Sequence, residues 1–151
     1  MSDRVFGQIP GISAGRVFAN REELSRSGVH RPLQAGISGA QDEGADSIVL
    51  SGGYEDDQDF GDLIVYTGHG GQDPVSRKQV RHQTLTRQNL ALAISMQQGL
   101  PVRVIRGSSH RSAFSPQRGY RYDGLYLVER FWHEIRSSGF YGLALQSGPT
   151  T

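Results

Sequence analysis

Hydrophobic residues fall in short runs along the chain, and polar stretches rich in glycine separate the runs. Short runs with β-branched or aromatic side chains predict strands. Such runs occupy residues 47–50, 63–66, 102–105 and 140–145. The longer stretch 122–132 alternates well enough between apolar and polar residues to predict one long strand. Because only an acidic turn separates the first two runs, we expect those two strands to form an antiparallel pair.

Two further segments carry the signals of helices. Asn20 followed by Glu23 is a capping box, which predicts a short helix over about 21–26. Thr86 can cap a second helix, and Gly99 can end it. The apolar residues of this second helix recur at helical spacing and are Leu90, Ala93, Ile94 and Met96.

The fold class follows from these elements and from the glycines. Twenty glycines are spread through 151 residues, which favours a sheet with many turns. We expect most of the glycine-rich loops at 34–44, 51–61 and 67–79. The sequence thus predicts an α+β fold in which a sheet dominates and two helices flank it. Its length suits a single domain, which we place at 1–146, followed by a flexible tail at 147–151.

Composition excludes several kinds of site. The chain has no cysteine, which rules out disulfides, thiolate zinc sites and cysteine nucleophiles. Its five histidines, at positions 30, 69, 82, 110 and 133, show no closely spaced ligand pattern and no His-Asn-His motif. We therefore expect no metal, no cofactor and no catalytic residue. No signal peptide and no apolar run of about 18 residues is evident, so we expect a soluble, cytoplasmic protein.

Charge is unevenly distributed although the net charge is only +1. Residues 41–62 include eight acidic residues and no Lys or Arg, whereas residues 77–136 include eleven basic and three acidic residues. This pattern predicts a basic face and an acidic loop, and it is equally compatible with an ordinary mixed surface. Arginine outnumbers lysine so strongly, with Lys78 as the one lysine, that a GC-rich bacterial genome is indicated.

Two tyrosines flank the acidic turn, Tyr54 before it and Tyr66 after it. Two phenol rings a few ångströms apart can hold a flat ligand between them, and each stack on a nucleobase contributes on the order of 1–3 kcal/mol. Two such stacks can offset the cost of extruding a base from a duplex. Asp57 can then identify the base, because a carboxylate accepts from the amine of cytosine and repels the O4 atom of thymine.

Neighbouring residues complete the candidate base pocket. Thr67 can add a hydroxyl or backbone contact to the polar edge of the base, and Gly52 and Gly53 allow a close approach of the backbone. Other interpretations remain open at this point. Two tyrosines on a half-buried sheet commonly pack in a core, and Asp56 or Asp57 with His69 can form the acid–base pair of a hydrolase. A protein-interaction module is a third alternative.

A set of short motifs, in order along nearly the whole chain, resembles the SRA (SET- and RING-associated, or YDG) domain. The motifs are Gly-Gln-Ile-Pro-Gly at 7–11, Ser-Gly-Val-His-Arg-Pro at 27–32, Ala-Gly-Ile-Ser-Gly at 35–39, Gly-Gly-Tyr-Glu-Asp-Asp at 52–57, Tyr-Thr-Gly at 66–68, Leu-Ala-Leu at 90–92, Pro-Val-Arg-Val-Ile-Arg at 101–106 and Tyr-Asp-Gly-Leu-Tyr at 122–126. No single match is specific, but the ordered set is.

The resemblance implies a twisted, barrel-like sheet with flanking helices that grips duplex DNA and flips 5-methylcytosine into a pocket. Carried onto this sequence, Tyr54 and Tyr66 stack on the base, and Asp57 and Thr67 read its polar edge. The backbone that assists them belongs to Ser51, Gly52 and Gly53. His30 and the Tyr-Asp-Gly motif at 122–124 are interpreted as structural, the latter as a turn into the long strand.

Two departures from the family's eukaryotic members concern the surroundings of the base. Those members insert a small apolar thumb residue where this chain has Gln34, beside Leu33, and Gln can hydrogen-bond to the orphaned guanine. Their finger loop is longer than the matching segment here, 71–84, in which only Arg77 and Lys78 approximate its tip. A short finger reads less of its surroundings, so we expect weak preference for sequence context and weak discrimination of hemimethylated from fully methylated sites.

The remaining predicted DNA contacts lie around the same loops. The thumb segment continues through Ala35, Gly36 and Ser38. Phosphate contacts are expected from Arg31, Arg77, Lys78 and Arg81, although each of these is equally compatible with a solvated surface position.

The predicted function is that of a monomeric reader of double-stranded DNA containing 5-methylcytosine, not of an enzyme, and we expect such a reader to be associated with the nucleoid. Bacterial relatives often attach such a domain to an HNH nuclease, and these 151 residues contain no such nuclease. The alternative is therefore the recognition half of a modification-dependent restriction endonuclease, with the nuclease as a separate domain or partner.

Overall fold

The computed structural model describes residues 4–40, 42–51, 58–67, 87–110, 112–134 and 140–147. Within these residues the chain forms eight strands and two helices. The strands are β1 (Val17–Phe18), β2 (Ile37–Ala40), β3 (Gly44–Leu50), β4 (Gln58–Asp59), β5 (Leu63–Thr67), β6 (Val102–Gly107), β7 (Tyr120–Glu134) and β8 (Phe140–Ser147). The helices are α1 (Arg21–Ser27) and α2 (Arg87–Gln98).

The strands form one mixed sheet in the order β2-β3-β6-β7-β8-β5-β4, with β1 paired to β7. Strands β3 and β6 are parallel, and the other pairs are antiparallel. The predicted α+β class is confirmed. Among the described strands, β2 and β4 are the two ends of the path, so the sheet is open and not a closed barrel.

The expected pairing of the first two predicted strands is wrong. Strand β3 lies between β2 and β6, and β5 lies between β4 and β8. All seven residues of β3 are buried, as suits a central strand with neighbours on both sides. The acidic stretch between β3 and β5 therefore connects two strands that do not pair with each other, and β7, with 15 residues, pairs with both β6 and β8.

Some predicted loops also contain regular structure. Strand β2 lies within the expected loop 34–44, and β4 lies within 51–61. The Tyr-Asp-Gly motif is not a turn but part of β7, where Tyr122 is fully buried and Gly124 has a positive φ of 105°. Ser147, placed in the tail by the sequence, pairs with Tyr126 as the last residue of β8.

Helix α1 confirms the capping prediction. The Asn20 side chain accepts a hydrogen bond from the Glu23 backbone N–H at 2.9 Å, and Glu23 Oε1 accepts from the Ala19 N–H at 3.1 Å. Gly28 ends the helix with a φ of 85°, a conformation that favours glycine. The helix buries Leu24 against a small core with Phe18 and other residues.

Helix α2 covers the larger core and packs on β2, β3 and β7. The helix is confirmed, whereas its predicted cap Thr86 lies outside the described residues. Its fully buried side chains are Ala91, Leu92 and Ser95. Ser95 Oγ donates to the Ala45 carbonyl at 2.7 Å and accepts from the Ala45 N–H at 2.8 Å, which fastens the helix to β3.

Strand β6 carries two buried arginines. Arg103 donates to Asp46 Oδ2 on β3 at 2.8 Å and to the carbonyl oxygens of Val29, Val5 and Gly7 at 2.7–2.8 Å. Arg106 forms a second buried ion pair, with Asp59. These two members of the basic stretch are therefore internal and contribute no charge to a surface patch.

Candidate functional site

The α1–β2 loop, residues 31–36, is held by a guanidinium group from helix α1. Arg21 donates to three carbonyl oxygens of the loop, those of Pro32 (2.8 Å), Gln34 (3.5 Å) and Ala35 (2.7 Å). Ser25 Oγ, one helical turn further on, donates to the Arg31 carbonyl at 2.7 Å. Helix α1 thus fixes the course of the loop backbone.

His30 holds the same loop from inside the protein. It is fully buried, with Nδ1 2.7 Å from Ser47 Oγ and Nε2 2.8 Å from the Ala35 carbonyl oxygen. Burial lowers the pKa of His30 to about 4, since the carbonyl contact that favours the charged form is the weaker effect. The ring is therefore neutral at pH 7. Nε2 donates to the carbonyl, and Nδ1 accepts from the serine hydroxyl.

Three side chains project from this fixed backbone. Leu33 is 56% exposed, and Arg31 and Gln34 are exposed as well. The Gly36 carbonyl accepts from the Val49 N–H at 2.8 Å, so the loop ends against β3. An apolar and an amide side chain thus stand side by side on a rigid loop.

Ser38 does not share this exposure. It lies on β2, is 3% exposed, and its hydroxyl accepts from Arg4 Nη1 at 3.2 Å. With Arg31 and Ala35 it lines a surface depression of about 460 Å³. The predicted thumb contacts are therefore divided, and Ser38 belongs to the buried hydrogen-bond network of Arg4 and Asp46.

The predicted base pocket is described in part. Tyr66 and Thr67 are the last residues of β5, where their backbones pair with Leu143 and Gly142 of β8. Ser51 follows β3, and its carbonyl accepts from Ser109 Oγ at 2.9 Å. The other predicted site residues lie outside the described residues: Gly52, Gly53, Tyr54, Asp57, Arg77, Lys78 and Arg81, together with Asp56 and His69 of the hydrolase alternative.

A buried polar cluster at the end of β6 was not foreseen from the sequence. Arg106 makes a bidentate ion pair with Asp59 through Nε (2.7 Å) and Nη2 (2.8 Å). His110 Nε2 lies 2.9 Å from the same carboxylate, and Arg106 Nη1 donates to Asp123 at 2.9 Å. Tyr126 Oη lies 3.4 Å from Arg106 and completes the cluster.

The cluster keeps Asp59 ionised. Burial alone raises the pKa of a carboxyl group, but hydrogen bonds from His110 and Arg106 outweigh burial and hold the pKa of Asp59 well below its ordinary range. The charge pattern of the sequence had placed Asp59 in the predicted acidic loop. The sequence carries no local signal that pairs Asp59 with Arg106, which lies 47 residues later.

Two other findings concern the described residues as a whole. In that part of the chain, no three His, Asp or Glu side chains cluster in a way that can hold a metal ion. Neither α1 nor α2 is long and apolar enough to cross a membrane.

The buried His30 predicts a specific pH dependence of folding. In the unfolded chain His30 binds a proton below pH 6.5, whereas in the folded chain it does so only near pH 4. The free energy of unfolding therefore falls as the pH is lowered from 6.5 to 4. The full effect is about 3 kcal/mol. Urea unfolding from pH 7.5 to 4 should show this loss in the wild type and a weaker pH dependence in His30→Gln. Equal pH slopes for the two proteins would contradict the assignment.

Comparison with known proteins gives a consistent result. The family model of the SAD/SRA domain matches residues 5–146. The chain is 44% identical to the E3 ubiquitin-protein ligase UHRF1 of Rattus norvegicus, over 89% of this chain and 20% of that protein. It spans only about a fifth of the length of that relative.

Two solved structures are similar over nearly the whole chain. The modification-dependent restriction endonuclease TagI superposes with a TM-score of 0.91 at 48% identity, covering 97% of this chain and 53% of that one. The SRA domain of SUVH5, solved in complex with methylated CHH DNA, superposes with a TM-score of 0.80 at 40% identity, covering 96% of this chain and 94% of that one. The same SUVH5 domain has been solved with hemimethylated and with hydroxymethylated CG DNA. With the motifs, the mixed sheet and the family match in agreement, this chain belongs to the SAD/SRA domain family.

Proposed function

We propose that this domain binds double-stranded DNA containing 5-methylcytosine and holds the modified base outside the helix. The observation that carries the proposal is the likeness, over 96% of this chain, to an SRA domain solved with methylated DNA. The chain also has the residue types that such binding requires. Tyr54 and Tyr66 stack on the flipped base, and Asp57 accepts from the amine of cytosine.

The rest of the pocket contacts the polar edge of the base, which stacking does not distinguish. Thr67 contacts the remaining polar edge of the base, and the backbone of Ser51, Gly52 and Gly53 closes the pocket around the ring. The pocket therefore identifies cytosine by its edge. The methyl group adds apolar contact with the walls, at a gain that scales with the area buried.

The α1–β2 loop contacts the duplex at the gap that the flipped base leaves. Its backbone is fixed by Arg21 and His30, so Leu33 and Gln34 are presented without a cost in loop ordering. Inserted into the gap, Leu33 replaces lost stacking, and Gln34 bonds the unpaired guanine. Arg31, exposed on the same loop, contacts phosphate.

The finger contributes little in this proposal. The segment between β5 and α2 carries three basic residues that neutralise DNA phosphates: Arg77, Lys78 and Arg81. Their contribution to affinity depends on the salt concentration but not on the DNA sequence. The segment offers few groups that read neighbouring bases. The domain therefore recognises the modified base in several sequence contexts.

The domain as such is a reader without catalytic residues, and it acts as a monomer. A second candidate is favoured by the likeness to TagI, which the chain covers over 53% of its length. In this second candidate function, the domain recognises the modified DNA for a modification-dependent restriction endonuclease, and a separate domain or partner provides the nuclease. Incubation of this chain with methylated plasmid and Mg²⁺ should leave the DNA uncut, and cleavage would assign catalysis to the chain itself.

Removal of either stacking ring should abolish recognition of the modified base. Tyr54→Ala and Tyr66→Ala each remove a stack of about 1–3 kcal/mol, so affinity for a 5-methylcytosine duplex should fall roughly 10- to 100-fold at fixed salt. Phe60→Ala is the matched control, because Phe60 is 60% exposed and is not a pocket residue. Fluorescence anisotropy with methylated and unmethylated duplexes measures the effect. Wild-type affinity in both tyrosine variants would reject the pocket.

The short finger predicts a weak dependence on context. Duplexes with one 5-methylcytosine in CpG, CHG or CHH context should bind within a few-fold of one another, and hemimethylated and fully methylated CpG duplexes likewise. Competition titrations at constant ionic strength measure these ratios. A preference of about tenfold for CpG, which corresponds to about 1.4 kcal/mol, would contradict the proposal.

A further inference from the structure

We propose that Asp59, Arg106, His110 and Ser109 are positioning residues for the base pocket, because they fasten both ends of the segment that carries Tyr54 and Asp57. This inference rests on the proposed function and goes beyond it. It gives four residues that do not contact the base the role of holding the pocket in shape.

The Asp59 carboxylate is the first anchor, at the C-terminal end of the segment. It is 2% exposed and accepts hydrogen bonds on both oxygens. Its donors are Arg106 Nε (2.7 Å) and Nη2 (2.8 Å), His110 Nε2 (2.9 Å), the Gly61 N–H (2.9 Å) and Ser112 Oγ (3.2 Å). A bidentate guanidinium fixes the orientation of a carboxylate as well as its position. The backbone at Asp59 is therefore held in one place, two residues after Asp57.

The Ser51 carbonyl is the second anchor, at the N-terminal end. Ser109 Oγ donates to it at 2.9 Å. Ser109 and His110 are consecutive, and they belong to a turn closed by the hydrogen bond from the His110 N–H to the Gly107 carbonyl at 3.1 Å. One short stretch, residues 106–110, thus holds the chain on both sides of the pocket segment. Fixing both ends of a segment reduces the conformations open to the residues between them.

The anchoring stretch is itself rigid. Arg106 also donates to Asp123 on β7 at 2.9 Å and to the Gly61 carbonyl at 3.0 Å. The Tyr126 hydroxyl donates to the same carbonyl at 2.6 Å. Because these partners lie on the long strand β7 and on the β4–β5 turn, the anchor moves only if the sheet moves. Such a frame suits a pocket whose walls must already be in place when the base arrives.

A purely structural role makes a different prediction from a positioning role. If the cluster only stabilises the fold, its variants lower the melting temperature and bind methylated and unmethylated DNA in the wild-type ratio. If it positions the pocket, affinity for methylated DNA falls, whereas affinity for unmethylated DNA, which depends on phosphate contacts, is retained. The ratio of the two affinities therefore separates the two roles.

The test compares Asp59→Asn, His110→Gln and Ser109→Ala with the wild type. Ser95→Ala is the control, because it removes two buried hydrogen bonds between α2 and β3, and both of these bonds go to Ala45, away from residues 106–110. Each protein is titrated with matched methylated and unmethylated duplexes, below its measured melting temperature. Ser109 is exposed, so Ser109→Ala remains informative even if Asp59→Asn does not fold.

We expect the affinity ratio to fall roughly tenfold in Asp59→Asn and a few-fold in His110→Gln and Ser109→Ala, and to stay at the wild-type value in Ser95→Ala. A wild-type ratio in Ser109→Ala together with a wild-type ratio in any folded Asp59→Asn overturns the inference. A loss of the same size in Ser95→Ala overturns it as well. If the wild type itself does not distinguish the duplexes, the proposed function fails, which is a separate result.

Discussion

Two buried arginines of strand β6, Arg103 and Arg106, hold the loops of this domain through hydrogen bonds that their burial requires. An unpaired charge in the protein interior costs several kcal/mol, so a buried guanidinium must find acceptors for most of its donors. Arg103 finds them in Asp46 and in backbone carbonyls near the N-terminus and after α1. Arg106 finds them in Asp59, Asp123 and the Gly61 carbonyl. One strand thereby fixes segments that are far apart in the sequence.

This arrangement suits the function that we propose. Extruding a base costs a few kcal/mol, and any free energy spent on ordering loops would add to that cost. Arg21 and neutral His30 hold the backbone of the α1–β2 loop, and Arg106 with Asp59 holds one end of the pocket segment. In the proposed complex, the α1–β2 loop and the Asp59 end of the pocket segment therefore need little further ordering, which leaves more of the binding free energy for the base itself.

Local patterns predicted local structure well. The capping box at Asn20 and Glu23 marks α1, and the apolar runs mark β3, β5, β6, β7 and β8. The pairing of strands was predicted less well, because the hydrophobic pattern of a strand does not indicate which strand lies beside it in the sheet. The acidic turn between β3 and β5 favoured an antiparallel hairpin, yet the two strands lie in different parts of the sheet.

Charge was the least reliable guide to the site. Arg103 and Arg106 were counted toward a basic face, and Asp59 toward an acidic loop, yet all three side chains are buried. The ion pairs Arg103–Asp46 and Arg106–Asp59 join residues 57 and 47 positions apart in the sequence, and no periodicity reveals contacts at that range. Ser38 was assigned to the DNA surface because it follows the thumb residues, although its side chain is buried against Arg4. Resemblance supplied the pocket residues that we propose, whereas the buried network around Arg106 and Asp59 became visible only in the fold.

Recognition of the modified base depends on its extrusion from the duplex, and this step can be measured directly with 2-aminopurine placed next to a single 5-methylcytosine. This base brightens when its neighbour leaves the stack. We expect a saturable rise in fluorescence as the domain is added to the methylated duplex, no rise with the unmethylated duplex, and loss of the rise in Tyr66→Ala. Tight binding to the methylated duplex without any change in fluorescence would contradict base extrusion.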